Sequence, residues 1–183
     1  MSEIAEKEDA KTEVKSPFLT KKQEDKEDKD IAEETYEKKQ QDDLLSKTKE
    51  NAVFSRQCKL YFMSTKTKKL ETRGSGKLMI LKSKSKLHKL IMIRDKLMLK
   101  GADHYISPSS DLVKAVQVEN SFVWVALDDK SDAEENYKRT TYFASFYNQK
   151  EADEFKDAYV AAQENNKKVF VEIKKQMEAD KKV

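Results

Sequence analysis

From Asn51 to Asn148 the large apolar residues fall in short runs, many alternating with polar ones, and the runs are bounded by glycine, proline, asparagine or charged clusters. A period of two is what a half-buried strand imposes, because successive side chains point to opposite faces of a sheet. Ala52 to Met63, AVFSRQCKLYFM, reads as a first strand, with Val53, Cys58, Leu60 and Phe62 at even or near-even spacing. Ser64 to Lys69, STKTKK, reads as a charged hairpin tip, and a second strand is expected near Lys77 to Lys82, after a turn at Gly74 and Gly76. Leu87 to Arg94 and Lys96 to Lys100 are further apolar runs, split by the charged pair Arg94 and Asp95 that suits a tight turn. Tyr105 and Ile106 open a short strand that Pro108 ends, since proline cannot donate to a strand ladder. Asp111 to Val118 and Asn120 to Leu127 follow; in the latter, Phe122 and Trp124 share one face and Val123, Val125 and Leu127 the other. Asp128 to Asn136 reads as an acidic loop, and Tyr137 to Tyr147, rich in aromatic and β-branched residues, as the last strand.

Past Asn148 the period changes. Ala152, Phe155, Tyr159 and Ala162 recur at three and four, one side of a helix that starts near Gln149. Val169, Ile173 and Met177 roughly continue the stripe and Asn166 interrupts it, so the helix either runs on beyond the domain or breaks near Glu164 to Lys168. For Val169 to Met177, continued packing is favoured over an export-type apolar motif. About seven short strands and one closing helix predict a mostly β domain, a seven-stranded sandwich or barrel capped by a C-terminal helix. By analogy this is the pleckstrin-homology arrangement.

Composition confines that domain to part of the chain. Of 183 residues, 39% are charged and 37% apolar, too polar a mixture for a core that fills the whole length. Met1 to Glu50 mixes Lys, Glu, Asp, Gln and Thr with few large apolar residues, which predicts a disordered tail. A competing helical reading covers Ile31 to Leu45, where Ile31, Tyr36, Leu44 and Leu45 lie among good helix formers; such a helix would form transiently or on a partner. The expected organisation is a tail over 1–50, a domain over 51–165 and a helical extension or tail over 166–183.

The net charge of +3 hides an asymmetry: −5 over residues 1–50, +12 over 51–100 and −4 over 101–183. A field of that size attracts acidic partners. Cys58 is the only cysteine, so no intrachain disulfide forms, which fits a reducing compartment. No apolar run approaches the roughly 18 residues of a membrane span, and the N-terminus lacks the apolar centre of a signal peptide. A cytosolic or nuclear location is expected.

Catalytic machinery is sparse. His88 and His104 have no i, i+4 partner of a helical zinc motif. The Asp103–His104 pair has no nucleophile elbow beside it, which favours a hydrogen-bonded turn histidine over a hydrolase. RGSG at Arg73 to Gly76 lacks the spacing of a phosphate loop and reads as a β-turn. Within 51–100 only Glu71 and Asp95 interrupt the basic excess, so an anionic ligand is expected. Three anions compete at this point. Nucleic acid would want exposed aromatics, for which Tyr61 and Phe62 are candidates; a phosphoinositide would use Lys66, Lys68, Lys69 and Lys77; an acidic protein tail would feel the same field.

Five segments in order then narrow the choice. VFSRQCKLYF from Val53, RGSG from Arg73, LIMIRDKLMLKGADHYI from Leu90, SFVW from Ser121 and EADEFKDAY from Glu151 resemble the Ran-binding domain, a pleckstrin-like module, over Val53 to about Lys168. The chain departs from the family pattern in that Leu70 stands for a tryptophan, Glu71 and Thr72 for a lysine and glutamate, Ile93 for the first of two arginines, Asp103 for an asparagine and Ser145 for an arginine. Lys47, Thr48 and Lys49 replace an acidic run.

The resemblance implies a monomeric, non-enzymatic protein that recognises the small GTPase Ran in its GTP form, whose released acidic C-terminal segment ends against a basic patch. It implies help to a Ran GTPase-activating protein and detachment of Ran from transport receptors. GTP and magnesium would belong to the partner, no cofactor to this chain, and nucleic acid is not the expected ligand. The location implied is cytoplasmic, with shuttling to the nucleus. The expected contact or contact-shaping residues are Arg73, Arg94 and His104, with Lys59, Lys77 and Lys82 supplying long-range attraction. Trp124 is either a core anchor or a groove aromatic, and the core reading is favoured because Phe122 shares its face.

Overall fold

Seven strands pair into one antiparallel sheet in the computed structural model, which describes residues 51–97, 99–131 and 139–181. They are β1 (Ala52–Met63), β2 (Leu70–Lys82), β3 (His88–Arg94), β4 (Lys100–Tyr105), β5 (Val113–Lys114), β6 (Ser121–Ala126) and β7 (Thr140–Phe146), followed by helix α1 (Gln149–Asp180). Their order across the sheet is β4-β3-β2-β1-β7-β6-β5. The compact unit that contains them runs from Asp43 to Val183. The expected class, mostly β with one C-terminal helix, is the class observed.

Alternation explains the core. Phe54, Cys58, Leu60 and Phe62 of β1 meet Leu78 and Ile80 of β2, Leu90 and Met92 of β3, and Phe122, Trp124, Tyr142, Ala144 and Phe146 from the other half of the sheet. Helix α1 closes this interior with Ala152, Phe155, Tyr159 and Ala162, the stripe read from the sequence. Phe155 is its centre, with ring centroids 4.9 Å from Phe146, 5.5 Å from Phe54 and 5.6 Å from Trp124. The helix starts where its cap allows: the Asn148 side chain accepts from the Glu151 backbone N–H at 2.9 Å.

Three local expectations need correction. RGSG is not a turn but lies inside β2, which begins at Leu70 rather than near Lys77. Its register with β1 slips between Leu60↔Gly74 and Tyr61↔Thr72, which leaves Arg73 as the extra residue of a bulge, and Gly74 takes φ +135° there. At Gly76 the constraint is proximity, because a Cβ would run into the Ile93 carbonyl of the neighbouring strand. The apolar run Lys96 to Lys100 is not a strand either: Leu97 and Leu99 are exposed, and β3 pairs instead with Lys100–Tyr105, whose small and polar residues hide their period. Likewise, Asp111 to Val118 contributes only the two residues of β5.

Of the two readings of the helix, the continuous one holds: it runs unbroken to Asp180, and Asn166, the residue that interrupts the stripe, is completely buried. Its Oδ1 accepts from the His88 backbone N–H at 2.7 Å, and its Nδ2 donates to the carbonyls of His88 and Ile106, both at 2.8 Å. One side chain thus satisfies backbone groups at the start of β3 and just past β4. Packing reaches Val169, beyond the boundary expected at 165, and stops there, since Ile173 and Met177 are exposed. The readings of residues 1–50 lie outside the described residues.

Asn166→Leu would remove this partner from the His88 N–H and the Ile106 carbonyl, each loss costing about 1–3 kcal/mol, while the His88 carbonyl keeps the Ile106 N–H at 3.2 Å. The variant is expected to lose about 2 kcal/mol or more in urea unfolding with an unchanged m-value, whereas Asn165→Ala, at an exposed bond to the Lys86 carbonyl, changes stability by less than about 1 kcal/mol.

Candidate protein-binding surface

Two arginines meet at one end of the sheet because glycines leave room for them. Gly101 sits at a second register slip, between Met92↔Ala102 and Ile93↔Lys100. A Cβ on Gly101 would lie 3.4 Å from Arg94 Cγ and 3.5 Å from Arg73 Cγ, and one on Gly74 would lie 3.2 Å from Arg94 Cδ. Both aliphatic stems therefore rest on glycine backbone. Arg73 Nε donates to the Gly101 carbonyl at 3.0 Å, its guanidinium reaches Ser131 Oγ at 3.3 Å, and its Cζ lies 5.6 Å from the centre of the Phe62 ring. Arg73, Gly74, Ser75, Arg94, Asp95, Lys96 and Leu97 line a cleft of about 470 Å³. Its rim is fixed by Asp95, whose N–H donates to the Ser75 carbonyl at 3.0 Å and whose carboxylate accepts from the Gln57 amide.

Behind the arginines runs a buried polar chain. Trp124 Nε1–H donates to His104 Nε2 at 3.0 Å, and an indole nitrogen can only donate, so His104 Nε2 is unprotonated. The His104 proton is then on Nδ1, which donates to Asp129 Oδ2 at 2.8 Å. Asp129 also accepts from the backbone N–H of Asp103 at 3.0 Å and of Ser131 at 2.9 Å, and from the Ser131 hydroxyl. Burial alone raises a carboxyl pKa, but these donors outweigh it and hold Asp129 below its ordinary value. Tyr142 stacks on His104 with centroids 5.5 Å apart and planes 8° off parallel.

The predicted residues divide into four groups. Arg73 and Arg94 are brought together at the cleft. Lys59, in register with Ser75 and Ser145, and Lys77, in register with Gln57 and Ile93, occupy successive outward rows of the sheet, whereas Arg94 shares the inner face with Met92 and Leu78. Lys82 pairs with His88 at the far end of β2 and does not join them. His104 and Trp124 are 4% and 1% exposed, so the first is a shaping residue rather than a surface contact and the second is the core anchor. Sequence reasoning passed over Asp129, which is buried although it stands in a run read as a solvated acidic loop, and nothing in its spacing distinguishes it from Asp128. It also passed over Asp103 as a charge partner: Lys89 and Lys100 lie 2.9 and 2.6 Å from its carboxylate. Burial raises the Asp103 pKa, yet the two ammonium groups win and the net direction is down.

Reactive groups are scarce among the described residues. Burial, with help from Asp95, pushes the Cys58 thiol up to about 12, so it is not a poised nucleophile. Among the described residues no group of three or more His, Cys, Asp or Glu is placed to hold a metal ion, and no helix is long and apolar enough to cross a membrane.

Fold and surface together define a pleckstrin-like binding module. The chain belongs to the RanBP1 domain family, whose pattern matches residues 46–165. It is 30% identical over 173 residues to Ran-specific GTPase-activating protein 1 of Encephalitozoon cuniculi, covering 88% of this chain and 78% of that one. It is 36% identical over 80 residues to the human E3 SUMO-protein ligase RanBP2, covering 43% of this chain but 2% of that much longer protein. The crystal structure of the Ran binding domain of the nuclear complex component Nup2 from Ashbya gossypii superposes with a TM-score of 0.51 at 19% identity, over 63% of this chain and 96% of that one; this likeness is one of fold.

Because the folded pKa values of Asp103 and Asp129 lie below the ordinary 3.8, their contribution to stability is fully present above 3.8 and is lost as pH falls through the folded values. Urea midpoints are therefore expected to hold between about pH 7 and 5 and to fall toward pH 3. Asp129→Asn keeps the shape but removes the charge that four donors face; it should cost about 1–3 kcal/mol at neutral pH and flatten the acid limb.

Proposed function

We propose that this chain binds the small GTPase Ran in its GTP-bound form, and thereby assists hydrolysis stimulated by a Ran GTPase-activating protein and release of Ran from transport receptors. The observation that carries the reading is membership of the RanBP1 domain family across residues 46–165. The arginine pair over Gly74 and Gly101 supports it as a contact for an acidic partner segment, with Lys59 and Lys77 on the outward rows adding long-range attraction. Hydrolysis takes place on the partner, with its own GTP and magnesium, and this chain contributes binding free energy and no catalytic group. Preference for one nucleotide state means that contacts exist in that state and not in the other, since a ligand shifts an equilibrium only by its differential affinity. The protein acts as a monomer in the cytoplasm and shuttles to the nucleus.

The nucleic-acid reading loses its footing on the aromatics. Phe62 is buried in the core and Tyr61 packs edge-on against Phe143 with centroids 6.1 Å apart, which leaves neither as an open stacking platform.

Capture of Ran loaded with GTP, loaded with GDP, or lacking its acidic C-terminal segment tests the proposal: the first should be retained and the other two weakened, and equal capture of all three overturns it. Arg94→Ala should weaken binding at least about tenfold, as loss of an interface arginine does. Lys59→Ala and Lys77→Ala should each act mainly on the association rate, by about threefold, with the effect vanishing at high salt in stopped-flow measurements.

A further inference from the structure

β1 is longer than the neighbour it has on one side. β2 accompanies it from Ala52↔Leu81 to Met63↔Leu70, but β7 pairs only with Cys58 to Phe62, because the chain leaves the sheet at Asn148 for α1. The Phe146 N–H donates to the Asn120 carbonyl at 3.0 Å, so Phe146 turns its backbone groups to β6, and its neighbours Ser145 and Tyr147 turn theirs to β1. The β1 residues that face back are Lys59, opposite Ser145, and by alternation Gln57 and Ser55. Beyond Gln57 no strand lies on that side among the described residues, which leaves a short open edge at Ser55.

Helix α1 stands across this edge without closing it. Clefts of about 430 and 520 Å³ lie end to end along β1, the first over Ala52 to Arg56 and the second over Gln57 to Lys59. The helix walls them with Glu151, Glu154 and Asp157, three residues apart and so on one side of it. One side chain already spans the gap: Arg56 Nη1 donates to the Ser55 carbonyl at 2.9 Å, and Nη2 lies 2.7 Å from Glu154 Oε2. The two members of that ion pair are 45% and 35% exposed, so water screens it and it is readily exchanged. A guanidinium that bridges a strand carbonyl and a helix carboxylate is the chemistry this edge accepts, and the exposed Asp157 adds a second carboxylate. We propose that the edge takes an extended, arginine-bearing segment of a partner protein, which adds a strand against Ser55 and Gln57 and sets a guanidinium where Arg56 now lies. In such strand addition main-chain hydrogen bonds supply affinity and alternate side chains supply selectivity. The helix carboxylates select cations at the Ala52 end of the groove, and Lys59 disfavours them at the other. None of Arg56, Glu154 and Asp157 lines the Arg73–Arg94 cleft, which asks for the opposite charge.

Fluorescence anisotropy of a labelled octapeptide of alternating arginine and valine, titrated with the full-length chain, tests this. The peptide should bind, and its counterpart of alternating glutamate and valine should not. Glu154→Gln with Asp157→Asn should weaken binding by about tenfold while the circular dichroism spectrum stays native. Arg56→Ala, which vacates the edge, should tighten it by about threefold. N-methylation of every valine or of every arginine blocks one edge of the peptide strand, so one of these two versions should lose at least about tenfold and the other should not. The proposal is overturned if the arginine peptide fails to bind at millimolar concentration, if the carboxylate variant binds it unchanged, if Arg56→Ala weakens binding, or if the two N-methylated versions behave alike.

Discussion

The hydrogen-bond chain Trp124–His104–Asp129 is the constraint on which the rest of the domain depends, because it joins the two ends of the sheet. In the pairing order β4 is an edge, and an unpaired edge next to a core is costly and sticky. The segment after β6 seals it: the Asp103 N–H donates to Asp129, and the Lys130 N–H donates back to the Asp103 carbonyl at 2.8 Å. A carboxylate at 6% exposure is tolerable only because its donors are complete, and those donors come from β4 and from its own loop. In a low-dielectric interior such a chain is stronger than in water, and for the same reason each broken member strands the others.

The surface inherits its geometry from this closure. Arg73 is anchored on the Gly101 carbonyl and on Ser131, and both acceptors lie on the two segments that Asp129 ties together. The position of a surface guanidinium is thereby set by groups in the interior. His104 illustrates the same logic in reverse. It never reaches the surface, yet its tautomer and its stacking on Tyr142 hold β4 in register behind the cleft.

Much of the architecture was legible because alternation and the switch to a 3.6 period are direct images of packing: β1, β6 and α1 fall within a residue or two of where the pattern puts them. The failures share a cause. At Gly74, Gly76 and Asn166 the residue type was read by its usual role, turn former or interruption of an apolar stripe, when the fold needed close approach or a clamp for stranded backbone groups. Such roles depend on what lies across the sheet, 20 to 80 positions away, and no local window contains that information. Arg73 and Arg94 were accessible to sequence reasoning only through family resemblance; their convergence on glycine backbone comes from two register slips that leave no periodic trace.

Charge counting needs the same correction. The +12 of residues 51–100 suggests one large positive field, but Lys89 and Lys100 are held by Asp103, which that window does not include, and Lys82 stands at the other end of β2. What remains is smaller and divided between two faces: two arginines whose stems rest on glycine backbone, and Lys59 and Lys77 on the outward rows of the sheet. These two kinds of cation do different work. A lysine on a flexible stem attracts an acidic chain over roughly a Debye length, about 8 Å at physiological salt, and contributes little once the complex has formed. A guanidinium held in one orientation has already lost the freedom that docking would otherwise remove, and its planar fork matches a carboxylate in two bonds. Lifetime of the complex should therefore track the glycine-supported arginines, and the lysines should govern how often it forms.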